Sequence, residues 1–359
     1  MRKLCRVLGT AGLLCSISPN ALAQSLPEAH VPGRLLVRFR ESVSPDQVQN
    51  VLQSVQARST KQIAGIGVHV LELPANASET AYQNILRNRP EVDFADLDIV
   101  RTHEQSQITP NDPQFSSEWH LSKIQAPAAW STTTGSPSII IAIADTGVDS
   151  NHPDLMTKMV AGWNVNDNNS DTRDVYGHGT MVAGTAAAAS NNGVGVASVA
   201  WNSWLMPVRV SLSNGSAYDS AIASGITWAA DHGAKVVNVS YKVTGSSTVS
   251  SAAKYFYSKG GIVTISAGNY STYESIPDNP YIVTVGGTDP SDLLYSWSNT
   301  GTHIDVVAPG CVTTTSNGGG YAGGCGTSFS APIAAGVAAL VMSAKPGLSP
   351  AEITRVLQS

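Results

Sequence analysis

The chain has 359 residues, enough for two domains and a large core. Only 13% of its residues are charged against 42% hydrophobic, which excludes a disordered chain, and a net charge of −5 leaves no basic footprint for a nucleic-acid partner. Its 32 glycines point to a compact, loop-rich protein.

The first segment is MRKLCRVLGTAGLLCSISPNALA. Arg2, Lys3 and Arg6 form a basic start, an apolar stretch comes next, and Ala21-Leu22-Ala23 fits a small-x-small cleavage pattern. Residues 1–23 therefore read as a secretory signal peptide, and a secreted protein is expected. The apolar part is too short to span a bilayer comfortably, and no later segment reads as a transmembrane helix, so no stable membrane anchor is expected. Cys5 and Cys15 would leave with the signal. Cys311 and Cys325 remain, an even number in an oxidising compartment, and a disulfide is expected. Two free thiols are the competing reading, while a metal pair would have no third ligand nearby.

Residues 24–107 differ in texture from residues 108–359. GRLLVRFR alternates as a strand, and SPDQVQNVLQSVQA has a Ser-Pro start with Val48, Val51, Leu52 and Val55 at helical spacing. GVHVLELP reads as a second strand, SETAYQNILRNRP as a second helix and VDFADLDIV as a third strand. The pattern predicts a small α+β, ferredoxin-like unit with its helices on one face of an antiparallel sheet. RTHEQSQITPNDPQFSSEW, from residue 101 to 119, reads as an interdomain linker.

In residues 108–359, short apolar runs occur mostly without alternation: SIIIAIADTG, WLMPVRV, AKVVNVSY, GIVTISAGN and YIVTVGG. Such runs are strands covered on both faces. The stretches TMVAGTAAAA, SAYDSAIASGITWAADHG and VSSAAKYFYSKG read as helices between them. The alternation predicts a doubly wound α/β domain, with a mainly parallel sheet and helices on both faces. Its site is expected at the carboxyl ends of the strands.

Four residues fall at such edges. Asp145 ends IIIAIA, where an acid is costly unless paired. His178 sits between glycines in YGHGTMVAG, and Asn269 ends GIVTISAGN. Ser328 lies in GTSFSAP, ahead of an apolar helix. Each has a plain alternative: a turn Asp, a surface histidine, a turn asparagine, a serine cap. Together they supply what acyl transfer needs: a hydroxyl nucleophile, an imidazole base, a carboxylate that fixes its tautomer, and an oxyanion donor.

IADTGVDSNHPDL, GHGTMVAGT and GTSFSAPIAAGVAAL closely resemble the three signature blocks of subtilisin-like serine peptidases, and are most like the thermitase and proteinase K branch. The resemblance covers about residues 110–359 and implies an endopeptidase acting on proteins or peptides. Transferred by position, Ser328 is the nucleophile, His178 the base and then the acid, Asp145 its orienter, and Asn269 the oxyanion donor. Substrate-binding backbone is implied at Ser240, Tyr241 and Lys242, and at Ser266, Ala267 and Gly268. Family members often carry Ser-Leu-Gly-Gly where this chain has Ser240-Tyr241-Lys242-Val243, which leaves a narrow processing protease as the alternative to a broad one. A non-catalytic relative is the other rival, although all four positions are intact. Sedolisins replace the histidine by glutamate, which His178 argues against.

Residues 31 to about 100 are similar to the inhibitory prodomain of the same family, with PGRLLVRF and RPEVDFADLD as its opening and closing strands. This implies a zymogen that cuts away its own chaperone and inhibitor. The family's calcium site is matched by Asp112, Asp154, the Asn192 side chain and the carbonyls of Ser190, Val194 and Val196, oxygen ligands that suit structural Ca²⁺. NVNDNNSDTRD, residues 164–174, resembles a second calcium loop, with a polar turn as the equal alternative. A monomer is expected. AEITRVLQS at the end reads as a last helix, and family elements are expected past residue 359.

Overall fold

The computed structural model describes residues 29–100 and 107–359, which form two compact units. The signal-peptide reading of residues 1–23, with Cys5 and Cys15, lies outside the described residues.

The first unit contains β1 (His30–Phe39), α1 (Pro45–Ser54), β2 (Arg58–Ile63), β3 (Val68–Glu72), α2 (Glu79–Arg87) and β4 (Val92–Ile99). Its sheet is antiparallel in the order β2-β3-β1-β4, the ferredoxin-like arrangement. Alternate residues of β1, Leu35, Val37 and Phe39, enter one core with Val51 and Leu52 of α1 and Leu86 of α2. Ser44 and Gln47 form a reciprocal capping box at the start of α1, and Pro45 takes a first-turn position where its missing N–H is no loss. The strand β2 departs from the three-strand reading. RSTKQI buries no side chain fully and pairs with β3 alone, so this edge strand carries no apolar signal.

The second unit opens with the short helices α3 (Trp119–Lys123) and α4 (Ala126–Ala129). Next come β5 (Ile140–Asp145), β6 (Trp163–Asn164), α5 (His178–Ala187), β7 (Trp204–Arg209), α6 (Asp219–Asp231), β8 (Val236–Val239), α7 (Ser247–Ser258) and β9 (Ile262–Ser266). The remainder is β10 (Tyr273–Glu274), β11 (Val283–Thr288), β12 (Thr300–Gly301), β13 (Val306–Pro309), β14 (Cys311–Ser316), β15 (Gly320–Cys325), α8 (Thr327–Ala344) and α9 (Pro350–Leu357). Seven strands make a parallel sheet in the order β13-β11-β9-β8-β5-β7-β6. Along β5, Ile141 and Ile143 join the core formed with α5 and α8, while Ala142 and Ala144 join the core formed with α6 and α7. Both faces of the strand are covered, which is why it reads as an unbroken apolar run. From β5 the chain winds one way to β7 and then returns to β8 on the other side, so a crevice opens at the carboxyl end of β5.

The supposed linker is not loose from residue 107 onward: the Ile108 N–H donates to the Pro127 carbonyl at 2.9 Å, and the Phe115 ring packs on Trp130 with centroids 6.2 Å apart. Residues 101–106 lie outside the described residues. By length and composition α8 is apolar enough to cross a membrane, contrary to the reading that no later segment is; here it is the central core helix, with 72% of it buried. Cys311 and Cys325 stand directly opposite each other on β14 and β15 and are bridged, with Cα atoms 4.1 Å apart. The free-thiol reading falls.

Candidate active site

The neighbouring strands β5, β8 and β9 end at one edge of the sheet, and the expected site residues collect there. Asp145 is the last residue of β5 and is fully buried. Its Oδ1 accepts two hydrogen bonds, from His178 Nδ1 at 2.8 Å and from the Thr146 N–H at 2.8 Å. His178 is the first residue of α5, next to Gly179, and a side chain on Gly179 would press within 3.1 Å of the Asp145 Cβ. Glycine is therefore required for the helix start to approach the strand end this closely. Burial pulls the proton affinity of His178 down, but the charge and hydrogen bond of Asp145, with the charge of Asp174 beyond, outweigh it and raise the pKa above its ordinary value.

Ser328 is the second residue of α8, so its N–H is among those a helix leaves unpaired. The helix cap is Gly326, not Ser328, which removes the plain reading of this serine. Gly326 has a φ of +148°, a conformation that favours glycine, and a Cβ there would meet Asn269 Nδ2 at 3.1 Å. Asn269 Oδ1 accepts from the Thr327 N–H at 2.8 Å and from the Thr327 hydroxyl at 2.9 Å. Because a backbone N–H can only donate, the amide orientation is fixed: Oδ1 holds the first residue of α8, and Nδ2 lies on the Gly326 side as the remaining donor. The Ser328 hydroxyl donates to the Ser240 carbonyl at 3.3 Å, and among the described residues no hydrogen bond joins it to His178. The Phe329 ring lies 5.9 Å from the His178 ring and flanks it.

Ser240 comes directly after β8 and is locked by its own hydroxyl, which donates to the Ser328 carbonyl at 2.8 Å and accepts from Asn238 Nδ2 at 2.9 Å. The Tyr241 hydroxyl donates to the Gly215 carbonyl at 2.9 Å. Lys242 lies along Gly268 and pairs with Glu274 at 2.6 Å, and Glu274 also approaches His303 at 3.5 Å. Ser266 ends β9, and Ala267 and Gly268 lead from it to Asn269; all three are buried.

The residues expected around calcium also converge. Asp112 accepts from the N–H groups of Asn191 at 2.6 Å and Asn192 at 3.4 Å. Asp154 accepts from Asn192 Nδ2 at 3.0 Å and from the Val196 N–H at 3.1 Å. Ser190 and Val194 complete the same loop. Both carboxylates are buried, and Asp112 is pushed up in pKa by burial and by the Asp154 charge, against the pull of its backbone hydrogen bonds. Beside them Glu118, not singled out from the sequence, is raised to about 8 by burial and by the same two charges, and its Oε1 has no partner among the described residues. No group of three or more His, Cys, Asp or Glu is poised for a metal among the described residues. The set here has two buried carboxylates, oxygen donors of the kind a hard divalent cation takes, with Asn192 giving its Nδ2 to Asp154 and its Oδ1 to the Val194 N–H. In the loop 164–174 the carboxylates have other partners: Asp171 pairs with Arg173 at 2.7 Å, Asp167 accepts from Asn164 at 2.9 Å, and Asp174 turns toward α5.

The family model described as the Subtilase family matches residues 136–359, and that of the Fervidolysin N-terminal prodomain matches residues 17–98. The thermophilic serine proteinase of Bacillus sp. (strain AK1) is 36% identical over 320 residues, covering 88% of this chain and 79% of its own. Thermitase of Thermoactinomyces vulgaris is 44% identical over 242 residues, covering 66% of this chain and 86% of its own. A solved protease structure from Pseudoalteromonas arctica aligns with a TM-score of 0.63 and 34% identity, over 70% of this chain and 92% of that one.

Proposed function

This chain belongs to the subtilase family, as a serine endopeptidase with a zymogen prodomain, and we propose that it is secreted, removes its own prodomain and then hydrolyses proteins with broad preference. The observation that carries the reading is the 2.8 Å hydrogen bond from His178 to buried Asp145, at the sheet edge that also holds Ser328 and Asn269. Ser328 attacks the scissile carbonyl after a rotation that turns its hydroxyl from Ser240 to His178 Nε2. The imidazole takes the proton, Asp145 stabilises the resulting imidazolium, and an acyl-enzyme on Ser328 forms as the amine leaves with that proton. The Ser328 N–H and Asn269 Nδ2 receive the oxyanion. The backbone of Ser240, Tyr241 and Lys242, and that of Ser266, Ala267 and Gly268, would flank the substrate chain. Treatment with a fluorophosphonate should label Ser328 alone, and the labelled protein should no longer digest casein. Label on another residue, or casein activity that survives full labelling, would sink the assignment.

A narrow preference is the second reading, and the Lys242–Glu274 pair lying along Gly268 favours it. Mapping the cut sites in denatured casein separates the two readings. Many sites with varied flanking residues support broad preference, and one recurrent sequence supports the narrow one.

Structural Ca²⁺ belongs to the same proposal. Asp112, Asp154, Asn192 and the carbonyls of Ser190, Val194 and Val196 would hold it, and it would neutralise the carboxylate cluster. Binding the folded state only, at a free concentration a hundredfold above Kd, adds about 2.7 kcal/mol, or roughly 5 °C or more in Tm for a domain of this size. EDTA is expected to lower Tm by that amount in the wild type and to change Asp154→Ala little. An EDTA-insensitive wild-type Tm would remove the site.

A further inference from the structure

The loop before α5 holds a residue that the catalytic reading does not use. Asp174 is half-buried, and its two oxygens accept five hydrogen bonds. Oδ1 takes the Thr146 hydroxyl at 2.7 Å and the N–H groups of Tyr176 at 3.1 Å and Gly177 at 2.7 Å. Oδ2 takes the N–H of Thr180 at 2.8 Å and its hydroxyl at 2.5 Å. The helix it serves has no cap of its own, because Gly177 has no side chain to give. Asp174 supplies that cap from outside the helix. Thr146 completes the link: while donating to Asp174, its hydroxyl accepts the Gly179 N–H at 2.8 Å. Thr146 is the neighbour of Asp145, and Gly179 is the neighbour of His178. One carboxylate and one hydroxyl thus tie the strand end that carries the acid to the helix start that carries the base.

We propose that Asp174 is a positioning residue for the acid–base pair, holding the His178 ring against Asp145 through Thr146 and the first turn of α5. The inference rests on the catalytic reading given above. A carboxylate that holds the residue after Asp145 and the first turn of α5 at once fixes the spacing between the elements that carry the pair. Misplacements of that order cost up to about a hundredfold in rate. The charged groups facing the imidazole are Asp145 from β5 and Asp174 from the loop, and both favour the imidazolium. Facing Asp174 from other elements are the Tyr241 phenol, from the segment after β8, and Asn317 Nδ2, which donates to the Asp174 carbonyl at 3.2 Å.

The test uses the full chain after self-processing, with active enzyme counted by fluorophosphonate titration. Asp174→Asn should lower kcat about tenfold or more, with KM within about twofold. It should also move the acid limb of the kcat/KM profile to lower pH, because a charge that favours the imidazolium is gone. Thr146→Val should lower kcat without moving that limb, and Thr146→Ser, which keeps the hydroxyl, should restore it. A merely structural role would lower Tm or yield and leave kcat per titrated active site unchanged. If Asp174→Asn fails to fold, Thr146→Val decides, and full kcat there overturns the proposal. Asp174→Asn with wild-type kcat overturns it too, whether or not the limb moves. A wild type that is not labelled at Ser328 sinks the catalytic reading itself; a labelled, active wild type beside an unaffected Asp174→Asn sinks only this inference.

Discussion

The Ser328→Ala chain is expected to fold, to show no casein activity and to remain uncut between its two units. The serine proposed to attack substrate is also the one proposed to attack the chain's own segment between about residues 100 and 112. That segment is tethered, so the cut is effectively unimolecular and independent of protein concentration. Loss of the hydroxyl removes the nucleophile outright. The expected fall in kcat is about 10⁶-fold, the scale that subtilisin itself shows when its serine or its histidine is removed, and His178→Ala should match it because the triad acts as a unit. Replacing the hydroxymethyl side chain by a methyl group at the half-buried second position of α8 costs little stability, since Gly326 and not Ser328 caps the helix. The check is the intact mass and N-terminal sequence of each product, from a host without extracellular proteases. A Ser328→Ala chain that still loses its first unit there would mean that the cut is made in trans, and the self-processing proposal would fall.

How much of this could be read from the sequence depends on where each residue's partners lie. The strand β5 was legible because both its faces are covered, so every position must be apolar and the closing Asp145 stands out. The strand β2 was not, because an exposed edge strand needs no apolar side chain at all. Residues 107–119 look like a linker because they are polar. Their polarity is instead spent on the loop 190–196, where Asp112 accepts backbone N–H groups, and on Ala197, whose N–H Glu118 accepts at 2.8 Å. The same holds for the site. His178 and Ser328 announce themselves by glycine and small-residue surroundings that serve close approach of backbone. Asp174 and Thr146 do not, since an aspartate in a polar turn and a threonine before a glycine are ordinary until the fold joins two positions 28 residues apart. Short polar runs hide such roles, because hydrogen-bond partners distant in sequence leave no periodic trace.

Asp145→Asn should cost less than Ser328→Ala, and it should change the pH profile in a direction that can be worked out. Two N–H donors, from Thr146 and from His178, converge on the Oδ1 position, so the amide oxygen is directed there and the ring keeps its tautomer. What is lost is the negative charge beside an imidazolium in a buried site. Where the same change also leaves the ring in the wrong tautomer it costs about 10⁴-fold in kcat, which is therefore the ceiling here. In the wild type the base must be neutral to accept the Ser328 proton, so kcat/KM falls as pH drops through the raised pKa of His178. Without the Asp145 charge, burial is opposed only by Asp174, and the His178 pKa drops. The acid limb of the variant therefore moves to lower pH while its plateau stays low, so the ratio of wild-type to variant activity narrows as the solution is acidified. This shift should exceed the one expected for Asp174→Asn, because Asp145 touches the ring and Asp174 does not. The measurement is kcat/KM across the acid range for the two proteins, with active sites counted by titration. An acid limb that stays in place, or a plateau within tenfold of the wild type, would remove Asp145 from the role of imidazolium counter-charge.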